Sequence, residues 1–187
     1  MEWVGISGYT LSACSYLVFI LLLLAARNNT LSGRLVLSSS VFVFASSMFS
    51  IMQIDSGLSL QVVLGLETIK LALWSLLIFT TQYNLQEFTQ LLKQPKIKKY
   101  LITWLVISAG LWVIALYSLG GSKYLFLLFL ALNLWTLVLL EQLYRNMDVK
   151  AKWAIWPLVI GIGTASVFDF IMFAQASMVN QLDFSYW

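Results

Sequence analysis

The apolar run at residues 58–83 constrains the fold of this chain more than any other feature. It contains only two charged residues, Glu67 and Lys70. A helix of about 20 apolar residues crosses the hydrocarbon core of a bilayer, so the run predicts a membrane-spanning helix. Five comparable runs accompany it, and together they predict an all-α integral membrane protein, a six-helix transmembrane bundle in one domain, 1–187. The predicted helices cover residues 3–26, 35–53, 58–83, 100–120, 124–143 and 153–179.

The overall composition agrees with a membrane protein. Hydrophobic residues make up 60% of the 187 residues and charged residues 10%, against about 25% charged in soluble domains. Histidine is absent and Cys14 is the one cysteine, which excludes histidine catalysis, an internal disulfide and a cysteine zinc site. We therefore expect no metal, no cofactor and no enzymatic activity in this segment, which also lacks an ATP-binding motif.

The positive charges predict the orientation in the membrane. Nine of the eleven basic residues fall in alternate loops: Arg27 and Arg34 in the first, Lys93, Lys96, Lys98 and Lys99 in the third, Arg145, Lys150 and Lys152 in the fifth. Only Lys123 lies on the opposite side. Because cytoplasmic loops are enriched in lysine and arginine, we expect both termini outside. This pattern is typical of membrane topology and not of nucleic-acid binding.

The centre of the third predicted helix carries the candidate site. Glu67 and Lys70 share one helix face, which Trp74 continues. Each charge costs roughly 2.5–3.5 kcal/mol to insert at the bilayer centre, so the pair either neutralises itself or forms a functional centre facing the bundle. At about 1.5 Å per residue, Asn133 and Asp169 come to a similar depth. These five residues are the candidates for sensing a signal or ligand, and we expect the three charged ones to face the interior.

Two other segments give weaker predictions. Residues 85–94 have one apolar face, and Pro95 is expected to end them; they predict an amphipathic helix on the membrane surface, or a solvated loop. Four lysines cluster at the end of this segment and would contact lipid headgroups: Lys93, Lys96, Lys98 and Lys99. In the sixth helix, Gly161, Gly163 and Ala165 predict a closely packed face. Serines of the second helix are expected to bond back to their own helix.

Two short motifs stand out in the last third of the chain: residues 141–146 read EQLYRN, with Glu141, Tyr144 and Arg145, and a W-A-I stretch follows at 153–155. In these motifs the chain resembles the membrane domain of PrsK-type sensor histidine kinases, which belong to the exosortase/PEP-CTERM system of exopolysaccharide-producing bacteria. The pattern of Glu67, Lys70 and Trp74 is similar to the family's E-x-x-R-x-x-x-W, with lysine in place of arginine. Glu141 and Arg145 are also spaced as a helical ion pair.

This resemblance implies a function. It implies a sensor module in the bacterial inner membrane, passing an envelope or membrane signal by helix rearrangement to a cytoplasmic kinase, with a homodimer formed through the full-length protein. An outward-ending chain would need at least one further helix before such a kinase, so we expect this to be a piece of a longer protein. Two alternatives stay open: a small inverted-repeat transporter or channel, and a structural anchor or assembly domain. The bilayer is the expected partner, and no ligand is indicated.

Overall fold

A computed structural model of the chain describes residues 2–25, 30–56, 60–83, 95–117 and 123–179. Six α-helices account for nearly all of them, and these ranges contain no strand, which confirms the predicted all-α six-helix fold. In chain order the helices are α1 Glu2–Ala25, α2 Leu31–Ser56, α3 Leu60–Gln82, α4 Pro95–Tyr117, α5 Lys123–Asn146 and α6 Val149–Val179.

The helices have the lengths and composition of a multi-pass membrane protein. Among the described residues, five helices are long and apolar enough to cross a membrane: α1, α2, α3, α5 and α6. The remaining helix, α4, has 23 residues. The chain is thus a multi-pass membrane protein with a lipid bilayer as its environment.

Three helices begin four or five residues earlier than predicted. α2 begins four residues before the predicted position 35, α4 five before 100, and α6 four before 153. The predictions followed apolar runs, whereas the helices start at capping groups upstream of them. The Thr30 hydroxyl accepts a hydrogen bond from the Gly33 amide, and the Asp148 carbonyl accepts one from Lys152.

Pro95 is the first residue of α4, and that it also ends the segment before it stays a prediction. Proline is favoured at that position because its fixed φ suits a helix and its missing N–H would have no partner there. The predicted surface helix at residues 85–94 lies outside the described residues.

α3 is the centre of the bundle. It packs against α2, α4 and α5, while α1 packs on α2 and α6 packs on α5. The buried core includes Leu71 and Ile78 of α3, and Phe129 of α5, whose ring stacks on Phe173 of α6 at 4.7 Å between centroids. The polar face of α3 therefore lies where the other helices converge.

Candidate functional site

Three charged side chains meet in the membrane interior and are called the triad: Glu67, Lys70 and Asp169. The ammonium of Lys70 contacts the Glu67 carboxylate one turn before it and lies 2.8 Å from Oδ2 of Asp169 on α6. The side chains are 7%, 9% and 14% exposed for Lys70, Glu67 and Asp169. The prediction that all three face the interior is confirmed, and the Lys70–Asp169 pair joins α3 to α6.

A third helix contributes a hydrogen bond to the Glu67 carboxylate. The Ser46 hydroxyl of α2 donates to Oε1 of Glu67 at 2.5 Å. Most α2 serines instead donate to carbonyls of their own helix, as predicted: Ser38, Ser39, Ser40, Ser47 and Ser50. Because Ser46 is the exception, the triad links α2, α3 and α6 through side chains alone.

Aromatic side chains surround the triad. The Lys70 ammonium lies 5.2 Å from the centre of the Trp74 ring, within the range of a cation–π interaction. Tyr9 of α1 is near enough to all three charges to interact with them electrostatically. The sequence pattern predicted the position of Trp74 on this face, while Tyr9 carried no signal that distinguished it from other interfacial aromatics.

The charges of the triad do not balance. Two carboxylates share one ammonium, so the cluster has a formal charge of −1 when every group is ionised. Removing one partner from a buried, hydrogen-bonded ion pair typically costs about 3–5 kcal/mol, because an uncompensated charge stays behind. The Lys70–Asp169 contact therefore connects α6 to α3, and loss of either residue would leave an uncompensated buried charge.

Asn133 lies at the depth of the triad, and the described residues show no hydrogen bond between its side chain and the triad. Its amide nitrogen donates to the Phe129 carbonyl of its own helix at 3.0 Å, and its Oδ1 is buried without a hydrogen-bond partner among the described residues. Phe129 stacks on Phe173. Asn133 lies one turn after Phe129 on α5, and Asp169 lies one turn before Phe173 on α6, so both are one turn away from the stacked pair. This register supports the predicted common layer, although the structure gathers only four of the five candidates into one cluster: Glu67, Lys70, Trp74 and Asp169.

A cavity of about 340 Å³ is lined by Trp74, whose ring the Lys70 ammonium contacts, and is called the Trp74 cavity. It lies between α1, α2, α3 and α6, towards Pro157. Gly161 lines it, and a Cβ added at Gly161 would meet no atom within 4 Å, so the predicted close packing at this glycine is wrong. At Gly163 a Cβ would lie 3.4 Å from Leu140 of α5, so that glycine does pack.

The EQLYRN stretch ends α5, with Glu141 and Arg145 exposed and Leu143 buried. Arg145 and Glu141 form the predicted ion pair at 3.8 Å, with both side chains more than 60% exposed. Tyr144 packs on Trp156 of α6 at 5.9 Å between ring centres, and the Lys152 ammonium lies 5.2 Å from the Tyr144 ring. The end of α5 and the start of α6 thus form an aromatic and basic surface, which is typical of a membrane interface.

The lysine candidates for headgroup binding are only partly described. Lys98 and Lys99 are exposed in the first turns of α4. Lys93 lies outside the described residues, and the side chain of Lys96 does as well. Headgroup contact stays a prediction for all four.

Three residues of the site were missed at the sequence level: Ser46, Tyr9 and Ser166. Ser166 is fully buried on α6, and its hydroxyl has no hydrogen-bond partner among the described residues. It lies between Ile162, which lines the Trp74 cavity, and Asp169. Serine and tyrosine are frequent in this chain, so only the register between helices, which a single sequence does not contain, distinguishes these three.

Comparison of the chain with family models, with curated proteins and with solved structures found no match. What the chain does must therefore be argued from the triad, the cavity and the packing of the helices.

Proposed function

We propose that the chain is the membrane-embedded input module of a two-component histidine kinase, sensing an envelope or membrane signal at the bacterial inner membrane. The observation that carries the proposal is the Lys70–Asp169 ion pair, 2.8 Å long and buried between α3 and α6. A signal that changes the charge or position of either residue alters the attachment of the last helix to the centre of the bundle. The resemblance of residues 141–187 to PrsK-type kinases supports a kinase activity as the output of this module.

The energies are of the right size for a switch. Moving a two-state equilibrium from 1:99 to 99:1 takes about 5.5 kcal/mol. Loss of one partner from a buried ion pair supplies about 3–5 kcal/mol of that. In this mechanism, the input state keeps Lys70 between Glu67 and Asp169, and the signalling state releases Asp169 while Glu67 keeps the ammonium. The helix movement then reaches the kinase of a homodimer through α6.

The transporter alternative has weaker support in the packing. In an inverted repeat, α4 and α5 would pair as α1 and α2 do. α1 packs along α2 over an extended interface, whereas α4 and α5 touch at few described positions. The anchor alternative differs from the sensor only in its expectation that the triad holds the helices without changing state.

The proposal includes an orientation with both termini outside, which places Lys98 in the cytoplasm and Lys123 outside. A thiol-labelling experiment tests it in a Cys14→Ser background, because Cys14 is the chain's one cysteine. We expect an impermeant maleimide added to intact spheroplasts to label Lys123→Cys and not Lys98→Cys. Labelling of Lys98→Cys alone would reverse the orientation.

The functional test uses the complete protein encoded by the gene, in membrane vesicles. Replacing the triad together, as Glu67→Gln, Lys70→Met and Asp169→Asn, removes the ion pairs without leaving a lone charge. If the triad is a switch, this variant folds and its autophosphorylation is fixed at one level, unresponsive to the inducing condition. Lys98→Met is the control for loss of one positive charge and should respond normally. A folded triple variant that responds like wild type would contradict the proposal, as would a gene that encodes no kinase.

A further inference from the structure

The Trp74 cavity has the size and lining of a small-molecule site. Its volume of about 340 Å³ falls within the range of ligand pockets, roughly 300–1,000 Å³. Leu77, Leu158 and Ile162 form apolar walls, and none of the described residues that line the cavity is charged. A charged ligand group would lie here without a counterion, at a high desolvation cost. The lining therefore selects a neutral molecule with an apolar body.

The polar atoms in the wall select the hydrogen-bonding group of that molecule. Ser39 and Ser40 line the cavity, and both hydroxyls already donate their protons to the Val36 carbonyl, at 2.9 and 2.8 Å. A serine hydroxyl has one proton and two acceptor lone pairs, so each oxygen can still accept a hydrogen bond. A ligand donor such as a hydroxyl therefore matches these two oxygens. Tyr16 and Trp74, which carry a hydroxyl and an indole N–H, also line the cavity.

The position of the cavity indicates where such a ligand comes from. It lies between α1 and α6, which share no extended interface in the described ranges. Phe19 of α1, at its edge, is 42% exposed. In a membrane this gap faces hydrocarbon, so an apolar molecule dissolved in the bilayer reaches the cavity from the side.

We propose that the Trp74 cavity binds a neutral long-chain alcohol from the bilayer. The chain lies against Leu77 and Ile162, and the hydroxyl donates to Ser39 or Ser40. Trp74 also lines the cavity, and the Lys70 ammonium lies 5.2 Å from the centre of its ring, so an occupant contacts the residue that bounds the triad. The binding claim stands independently of any kinase activity.

Photolabelling of the purified protein in lipid nanodiscs tests the proposal. The probe is a long-chain alcohol carrying a diazirine, and the matched probe is its methyl ether, which cannot donate a hydrogen bond. We expect the alcohol to label residues around the cavity, mapped by mass spectrometry, about fivefold more strongly than the ether, the ratio that one hydrogen bond supplies. Equal labelling by both probes would overturn the proposal.

Two sets of variants locate the site. Gly161→Leu fills the cavity and should abolish the labelling, because a side chain at Gly161 extends into open space. Gly110→Leu is the matched control, since Gly110 on α4 also has no atom within 4 Å of an added Cβ and does not line the cavity. Combined Ser39→Ala and Ser40→Ala should reduce alcohol labelling to the level of the ether.

Folding of each variant is checked by thermal unfolding, and Gly161→Val replaces Gly161→Leu if the latter does not fold. Unchanged labelling in a folded cavity-filling variant would overturn the proposal. So would a preference for the alcohol that survives removal of both serine hydroxyls.

Discussion

α1 and α3 are nearly equal in length and both are apolar enough to span a membrane, yet they occupy opposite positions in the fold. Of their spanning windows, 6% of α1 and 61% of α3 is buried inside the protein. Lipid tails are as apolar as leucine, so hydrophobicity places both helices in the bilayer without deciding which one is central. The buried polar residues decide it, because α3 carries Glu67 and Lys70 and α1 has no charged residue within its span.

The largest expected difference comes from removing the central charge. Lys70→Met leaves two buried carboxylates without a cation and should lower the free energy of unfolding by about 3–5 kcal/mol. Lys98→Met removes the same charge from an exposed position and should change it by less than about 0.5 kcal/mol. Unfolding in mixed detergent micelles, followed by circular dichroism, measures both. Equal effects would show that the triad does not organise the bundle.

A second comparison uses two leucines, one in each helix, so that no charge is involved. Leu71 of α3 is fully buried and Leu22 of α1 is 62% exposed. Leu71→Ala should destabilise the protein by about 2 kcal/mol, since it opens a cavity where helices converge. Leu22→Ala should cost less than about 0.5 kcal/mol, because lipid fills the space that the side chain leaves. A larger cost at Leu22 in the same unfolding assay would place α1 inside the bundle.

The smallest expected difference is between two buried serines of α2. Ser46→Ala removes the hydrogen bond to Glu67 and should cost about 1 kcal/mol. Ser50 is equally buried one turn away, and its hydroxyl donates to the Ser46 carbonyl. Ser50→Ala should therefore be close to neutral. Parallel unfolding curves separate the two, and equal costs would contradict a special role for Ser46.

Much of the fold could be predicted from the sequence because the bilayer restricts it so strongly. Apolar runs of fixed minimum length revealed six helices, and the cost of buried charge indicated which face of α3 points inward. Helix starts were missed because Thr30 and Pro95, which begin helices, precede the apolar runs. Such boundaries depend on capping groups and not on hydropathy.

The site was predictable only within one helix. The face shared by Glu67, Lys70 and Trp74 follows from helical spacing. Depth brought Asp169 to the same layer, but its contact with Lys70 depends on which helices are neighbours, and a single sequence does not contain that. For the same reason, Ser46 could not be distinguished from the other α2 serines. The Trp74 cavity beside Gly161 was not predicted either, because small residues there indicated close packing.

A double-mutant cycle between Lys70 and Asp169 tests the central claim, that this pair attaches α6 to α3. Free energies of unfolding are measured for Lys70→Met, Asp169→Asn and the double variant. We expect a coupling energy of about 1–3 kcal/mol, with the double variant more stable than the sum of the single losses implies. The control cycle is the exposed pair Glu141 and Arg145, with a coupling below about 0.5 kcal/mol. Additive losses at Lys70 and Asp169 would show that this pair does not attach α6 to α3.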